Sequence, residues 1–297
     1  MAQYKETNML CILLWCMLIV SSCSASEKYL ESTWVGSTPG DDFVKSVLAI
    51  PAGTKVDFIR WNLILENSSS FRLDIIYGES KPNTLGFIGG GKKRSINGTV
   101  TISERGNFKI VYHLKSSELS DDILLAKFNE NLIHFLSPQN QLLVGNGGWS
   151  YALNNLNPVQ SKEYFFVSDI SEENSNEVTF DGRTPCDEIS KDHPEMKTSS
   201  SCFKLKWRLI LRRDSVTHMP STYTLRKILD GKRVDITGKW DIIKEEMRGI
   251  VIYRIEPYNK AESFSFLAVD NNILLFINRE NNPYLGNRDF SGILNRK

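Results

Sequence analysis

The sequence predicts an all-β fold built as two tandem antiparallel β-barrels, with a pair of β-sandwiches as the alternative. Three observations predict it. Two boxes of sequence recur in the same order, the runs they introduce alternate apolar and polar residues with the period of a strand, and the segments between are short and turn-rich. Boxes repeating in order over more than a hundred residues indicate duplication, and so long a period makes each copy a domain rather than one unit of a solenoid.

The first box reads Trp34-Val35-Gly36-Ser37-Thr38-Pro39-Gly40 in one copy and Phe180-Asp181-Gly182-Arg183-Thr184-Pro185-Cys186 in the other. Each leads through a polar segment of helical character, 40–48 or 186–196, to a strand holding a tryptophan. Trp61 lies 23 residues after Thr38, and Trp207 lies 23 after Thr184. Alternation is clearest in the second copy, where Phe203, Leu205, Trp207, Leu209 and Leu211 share one face and Lys204, Lys206, Arg208 and Arg212 the other. One apolar face and one wet face describe an antiparallel strand over a core.

Further strands are predicted at 71–77 and 222–228. Asn97-Gly98 and Thr237-Gly238 read as turns that introduce strands at 99–102 and 239–242. Runs at 108–112 and 132–135 match 250–253 and 273–276. The copies close on Val144-Gly145-Asn146-Gly147-Gly148-Trp149-Ser150-Tyr151-Ala152-Leu153-Asn154 and Leu285-Gly286-Asn287-Arg288-Asp289-Phe290-Ser291-Gly292-Ile293-Leu294-Asn295, which share Gly-Asn, the serine and Leu-Asn. Each copy so holds roughly seven or eight short strands. The barrel is preferred because the last box returns a strand beside the first, and closure removes exposed edges. The first repeat spans 31–157 and the second 179–297. Residues 158–178, including the acidic Ser171-Glu172-Glu173-Asn174-Ser175-Asn176-Glu177, read as a linker.

Ahead of the repeats, Lys5, an apolar run at 9–20 and Val20-Ser21-Ser22-Cys23 form an export signal over 1–22. The run is shorter than the ~20 residues of a membrane span. Val20-Ser21-Ser22-Cys23 resembles the bacterial lipobox, which makes Cys23 the lipidated first residue of the exported chain and 23–30 its tether. Ser24 in place of aspartate favours the outer membrane, so the expected location is the cell envelope, with the membrane reached through the lipid on Cys23. The net charge of +1 argues against a nucleic-acid partner.

Of five cysteines, Cys11 and Cys16 belong to the signal and Cys23 to the anchor, leaving Cys186 and Cys202. Gly40 and Val56 hold their places in the first copy, so the copies differ by both cysteines or neither, as a bonded pair would. A structural disulfide is the favoured reading in an exported chain. A redox-active pair, and thiol ligation of cuprous ion with His193, Met196 and the His218-Met219 pair, are the alternatives. A disulfide would remove the best of those ligands, so no metal or cofactor is assigned.

No catalytic constellation assembles, and an enzyme is not expected. His113 and His134 fall in strand-like runs without a nucleophile elbow and read as barrel-wall side chains. Gly86-Phe87-Ile88-Gly89-Gly90-Gly91-Lys92-Lys93 approaches a phosphate loop, but Lys93 replaces the hydroxyl residue and a strand follows where a helix is needed. Trp34, Trp61, Trp149, Trp207 and Trp240 read as inward residues filling small barrels, with a cavity for a small apolar ligand as the alternative.

With the opening box Phe180–Cys186, the lipobox and the final Gly-Asn-x-x-(Trp/Phe)-Ser, the chain resembles the NlpE-like copper-resistance and envelope-stress lipoproteins. The resemblance covers both repeats. It implies lipocalin-like barrels at the outer membrane, and a role in copper tolerance or envelope-stress signalling with an envelope signalling protein as partner. The chain departs from the family's Cys-x-x-Cys, since Asp187, Glu188 and Ile189 follow Cys186. The expected function is a non-enzymatic binding or stress-response module. A carrier of a small apolar ligand is the first alternative, and a copper-binding or thiol-redox protein using Cys186 and Cys202 the second.

Overall fold

The computed structural model describes residues 31–66, 69–193, 202–229, 231–259 and 263–297. The signal, the whole tether from Cys23 to residue 30, and Met196 lie outside them. The first barrel consists of β1 (Ser32–Pro39), β2 (Phe58–Leu65), β3 (Ser70–Gly78), β4 (Lys92–Arg105), β5 (Phe108–Lys115), β6 (Ile123–Asn129), β7 (Leu132–Leu136) and β8 (Ala152–Asn155). The second consists of β9 (Glu177–Thr184), β10 (Leu205–Arg213), β11 (Pro220–Leu229), β12 (Lys232–Glu245), β13 (Ile250–Pro257), β14 (Phe264–Ala268), β15 (Ile273–Ile277) and β16 (Ile293–Arg296). Every strand pairs antiparallel with the next, and the eighth of each copy closes on the first. These are two closed barrels, as the boxes predict, and not sandwiches.

The opening box is built for that closure. At Gly36 a β-carbon would stand 2.4 Å from the Ala152 carbonyl oxygen, and at Gly182 one would stand 2.4 Å from that of Ile293. Only glycine lets the first and last strands approach this closely. Two residues on, the threonine hydroxyl accepts the buried indole N–H of the tryptophan strand: Trp61 Nε1 to Thr38 at 2.8 Å, and Trp207 Nε1 to Thr184 at 2.9 Å. The shared spacing of 23 residues is therefore a hydrogen bond made once in each barrel. Past the proline come two short helices, α1 (Asp42–Val47) and α2 (Cys186–Asp192). The Asp41 carboxylate caps α1 by accepting from Val44 N at 3.1 Å and also receives the Tyr151 hydroxyl. Val44, Val47 and Leu48 then plug one end of the first barrel, and Ile189 that of the second.

Both interiors are filled with side chains. Trp34, Trp61, Phe71, Tyr112 and Phe135 pack with the aliphatic residues of the first barrel, and Phe180, Trp207, Tyr223, Trp240 and Phe276 with those of the second. Trp149 departs from expectation. It lies outside the first barrel, its ring stacked on Phe58 with centroids 4.8 Å apart. It belongs to the surface facing the second copy.

Two expected turns are also corrected. Asn97-Gly98 and Thr237-Gly238 sit inside the long strands β4 and β12. Gly98 faces Phe71 across the ladder and Gly238 faces Tyr223, and a β-carbon at either would stand 2.7 Å from the opposing ring. These glycines admit an aromatic ring over the backbone where a long strand crosses the barrel; the reversal itself falls later, at Gly106 (φ 54°) and Gly249 (φ 64°).

A third apolar core lies between the barrels. The outer faces of β5, β6 and β7 (Val111, Leu124, Phe128 and neighbours) pack against those of β13, β14 and β15 (Ile252, Leu267, Leu275 and neighbours). These strands are consequently apolar on both faces. The segment at 158–178 is packed here too. Phe166 lies in this core, Lys109 N donates to Phe165 O at 2.8 Å, and Asp169 N donates to Val269 O at 2.9 Å.

Candidate functional site

The closing boxes form the seam between the barrels, and their shared residues are those that make it. Asn146 Oδ1 accepts from the N–H groups of Gly148 and Trp149, and Asn287 Oδ1 from those of Asp289 and Phe290, so each asparagine folds its own loop. The terminal asparagines then reach across. Asn154 Oδ1 accepts from Gly286 N at 3.0 Å, and Asn295 Oδ1 accepts from Gly145 N at 2.8 Å. The hydroxyls of Ser150 and Ser291 meet between them. Equivalent residues thus make reciprocal contacts, the pattern of a twofold interface.

Away from the center the two halves differ. On the first barrel's side, Arg60 is ion-paired with Asp289 of the second copy's box, and the Ser37 hydroxyl donates to Arg288 O at 2.8 Å. On the other side the equivalents of Ser37 and Arg60 are Arg183 and Lys206, and Gly147 and Gly148 stand where Arg288 and Asp289 stand. The Arg183 guanidinium lies 5.4 Å from the Trp149 ring centroid, a cation–π distance. A groove of about 660 Å³ flanks the first side, lined by Arg60, Asp74 and Arg288 among others. One of about 330 Å³ flanks the second, lined by Arg183, Lys206, Arg208 and Arg226 together with Asp181.

Cys186 and Cys202 lie at the plugged end of the second barrel, with Cα atoms 6.1 Å apart and their sulfur atoms within bonding distance. Cys186 is buried at the start of α2, so the pair ties the helical plug to the segment entering β10. His193 follows α2 with its ring centroid 4.5 Å from that of Phe264. His218 stands apart from it, in the turn between β10 and β11. Among the described residues no group of three or more His, Cys, Asp or Glu could share a metal ion.

His113 and His134 occupy outer positions on β5 and β7. His113 Nε2 is 2.9 Å from the Ser103 hydroxyl. His134 is fully buried in the seam, stacked on Phe128, with Nδ1 2.9 Å from Phe135 O and Nε2 without a partner. Burial lowers its pKa to about 4 and keeps it neutral. The glycine-rich run at 86–93 is a single tight turn, with Gly89, Gly90 and Gly91 at positive φ, entering β4.

The sequence marks the closing boxes as shared, and the recurrence of polar residues without an apolar role points to hydrogen bonds. That those bonds join one box to the other is seen only in the structure. Set against models of protein families, curated proteins and solved structures, the chain matches none.

Proposed function

We propose that the chain is a lipoprotein of the bacterial cell envelope, anchored through Cys23, in which the two joined barrels serve as a non-enzymatic binding module in envelope-stress or copper-tolerance responses. The observation that carries the reading is the filling of both interiors, which leaves the outer grooves flanking the seam as the surfaces open to a ligand or partner. It favours a module that binds on its outside over a carrier that encloses an apolar ligand. Support for the setting comes from Val20-Ser21-Ser22-Cys23 and from the resemblance to the NlpE-like lipoproteins. Metabolic labelling with a palmitate analogue tests the anchor. Wild type takes up label and sediments with membranes, while a Cys23→Ser form does neither; a Cys23→Ser form that stays with membranes after processing overturns the anchor. The functional half is tested by growth under copper or envelope stress with and without the chain, and unchanged tolerance would remove it.

A further inference from the structure

We propose that the groove on the second barrel's side of the seam binds a compact oxyanion of about two negative charges, for which a phosphate group is the closest match. The strand register sets up the charge. Arg183 on β9 stands directly opposite Lys206 on β10, and Arg208 on β10 directly opposite Arg226 on β11. Like charges in cross-strand register destabilise a sheet. In the second row the protein answers them itself. Asp181 accepts a fork of two bonds from Arg208, each 2.7 Å, and Asp235 accepts from Arg226 at 3.0 Å. In the first row it does not. Among the described residues neither Arg183 nor Lys206 reaches a carboxylate, and Lys204 adds a third cation beside them.

The twofold-related groove shows what is missing. There Arg60, the equivalent of Lys206, is paired with Asp289, whose counterpart on this side is Gly148. A β-carbon on Gly148 would lie 3.5 Å from Cζ and Nη1 of Arg183. So one groove supplies its own carboxylate, while the other has an additional arginine and no carboxylate in that place. Burial lowers the Arg183 pKa, and burial followed by the repulsion of Arg183 and Lys206 lowers that of Lys204. A bound anion relieves both. An arginine fork beside lysine point charges suits phosphate, and the groove of about 330 Å³ holds a phosphate with part of the molecule that carries it.

The test is a titration of inorganic phosphate into the folded two-barrel chain at constant ionic strength held with KCl. The readouts are tryptophan fluorescence, to which Trp149 contributes, and melting temperature. Saturable binding is expected, with acetate weaker than phosphate. Arg183→Gln and Lys206→Gln should each weaken it tenfold or more. Gly148→Asp, which restores the carboxylate the other groove has, should abolish binding without lowering the melting temperature in phosphate-free buffer. The equivalent loop already accommodates Asp289 with the same asparagine bond to its N–H, so this variant is expected to fold. Competition by glycerol phosphate but not by phosphatidylglycerol vesicles assigns the site to a soluble ligand, and competition by the vesicles assigns it to a headgroup. A response that matched chloride replaces equally well, or a folded Gly148→Asp chain that binds phosphate like wild type, overturns the proposal. The outcome is separate from the anchoring reading, since a chain that binds phosphate but is never acylated supports the one and not the other.

Discussion

The Thr–Trp pairs show how few residues fix a barrel's opening. Trp61 and Trp207 are among the larger inward side chains, and each indole N–H is buried with one acceptor. A buried donor left without its partner costs about 1–3 kcal/mol, more than the bond itself contributes. Thr184→Val keeps the shape and removes the acceptor, so it should destabilise the chain by that amount in a urea titration, and Thr38→Val by a similar amount. Thr184→Ser should recover most of the loss. Equal midpoints for wild type and Thr184→Val would show that the indole finds another acceptor. The recurrence of the 23-residue spacing was legible in the sequence, but its meaning required the register that sets Gly36 opposite Trp61 and Gly182 opposite Trp207.

At the scale of elements, legibility followed the wet face. β10 alternates cleanly and reads as a strand, whereas β6 and β14 carry little alternation to read, being almost wholly apolar because their outer faces lie in the seam. Asn97-Gly98 and Thr237-Gly238 misled for a related reason: the same dipeptide serves a tight turn or a ring crossing a strand, and only the partner strand distinguishes them. The cysteine pair was legible through its joint absence from the first copy. It closes a short loop on α2, and the chain-entropy model gives about 3 kcal/mol for a loop of that size. Comparison of oxidised chain with a Cys186→Ser/Cys202→Ser form should show a loss of that order in denaturant. A variant as stable as wild type would mean that the plug holds α2 without the bond.

For the molecule as a whole, the seam makes stability depend on acid through His134. Its pKa falls to about 4 in the fold, against an ordinary 6.5, so the unfolded chain takes up the proton more readily. Stability is unaffected above the ordinary value and declines as pH falls from there toward 4. Once below 4 the loss is complete, about 3 kcal/mol for a group so thoroughly buried. His134→Gln should flatten this part of the pH profile in denaturation experiments run from pH 7 to pH 4. A profile unchanged by the substitution would place the acid sensitivity elsewhere.

The reciprocal bonds of Asn154 and Asn295 have a further consequence for how such a chain can change. In an assembly of two identical subunits, any substitution at a self-complementary contact is made twice, so a favourable change on one side must also be tolerated on the other. Fusion of the copies into one chain removes that constraint, and it makes the pairing independent of protein concentration. Each half can then drift by itself while Gly145, Gly286 and the paired serines hold the contact. Asp289 in one closing box where Gly148 stands in the other, and a cysteine pair in one barrel where Gly40 and Val56 stand in the other, are the asymmetries that tandem covalent linkage permits.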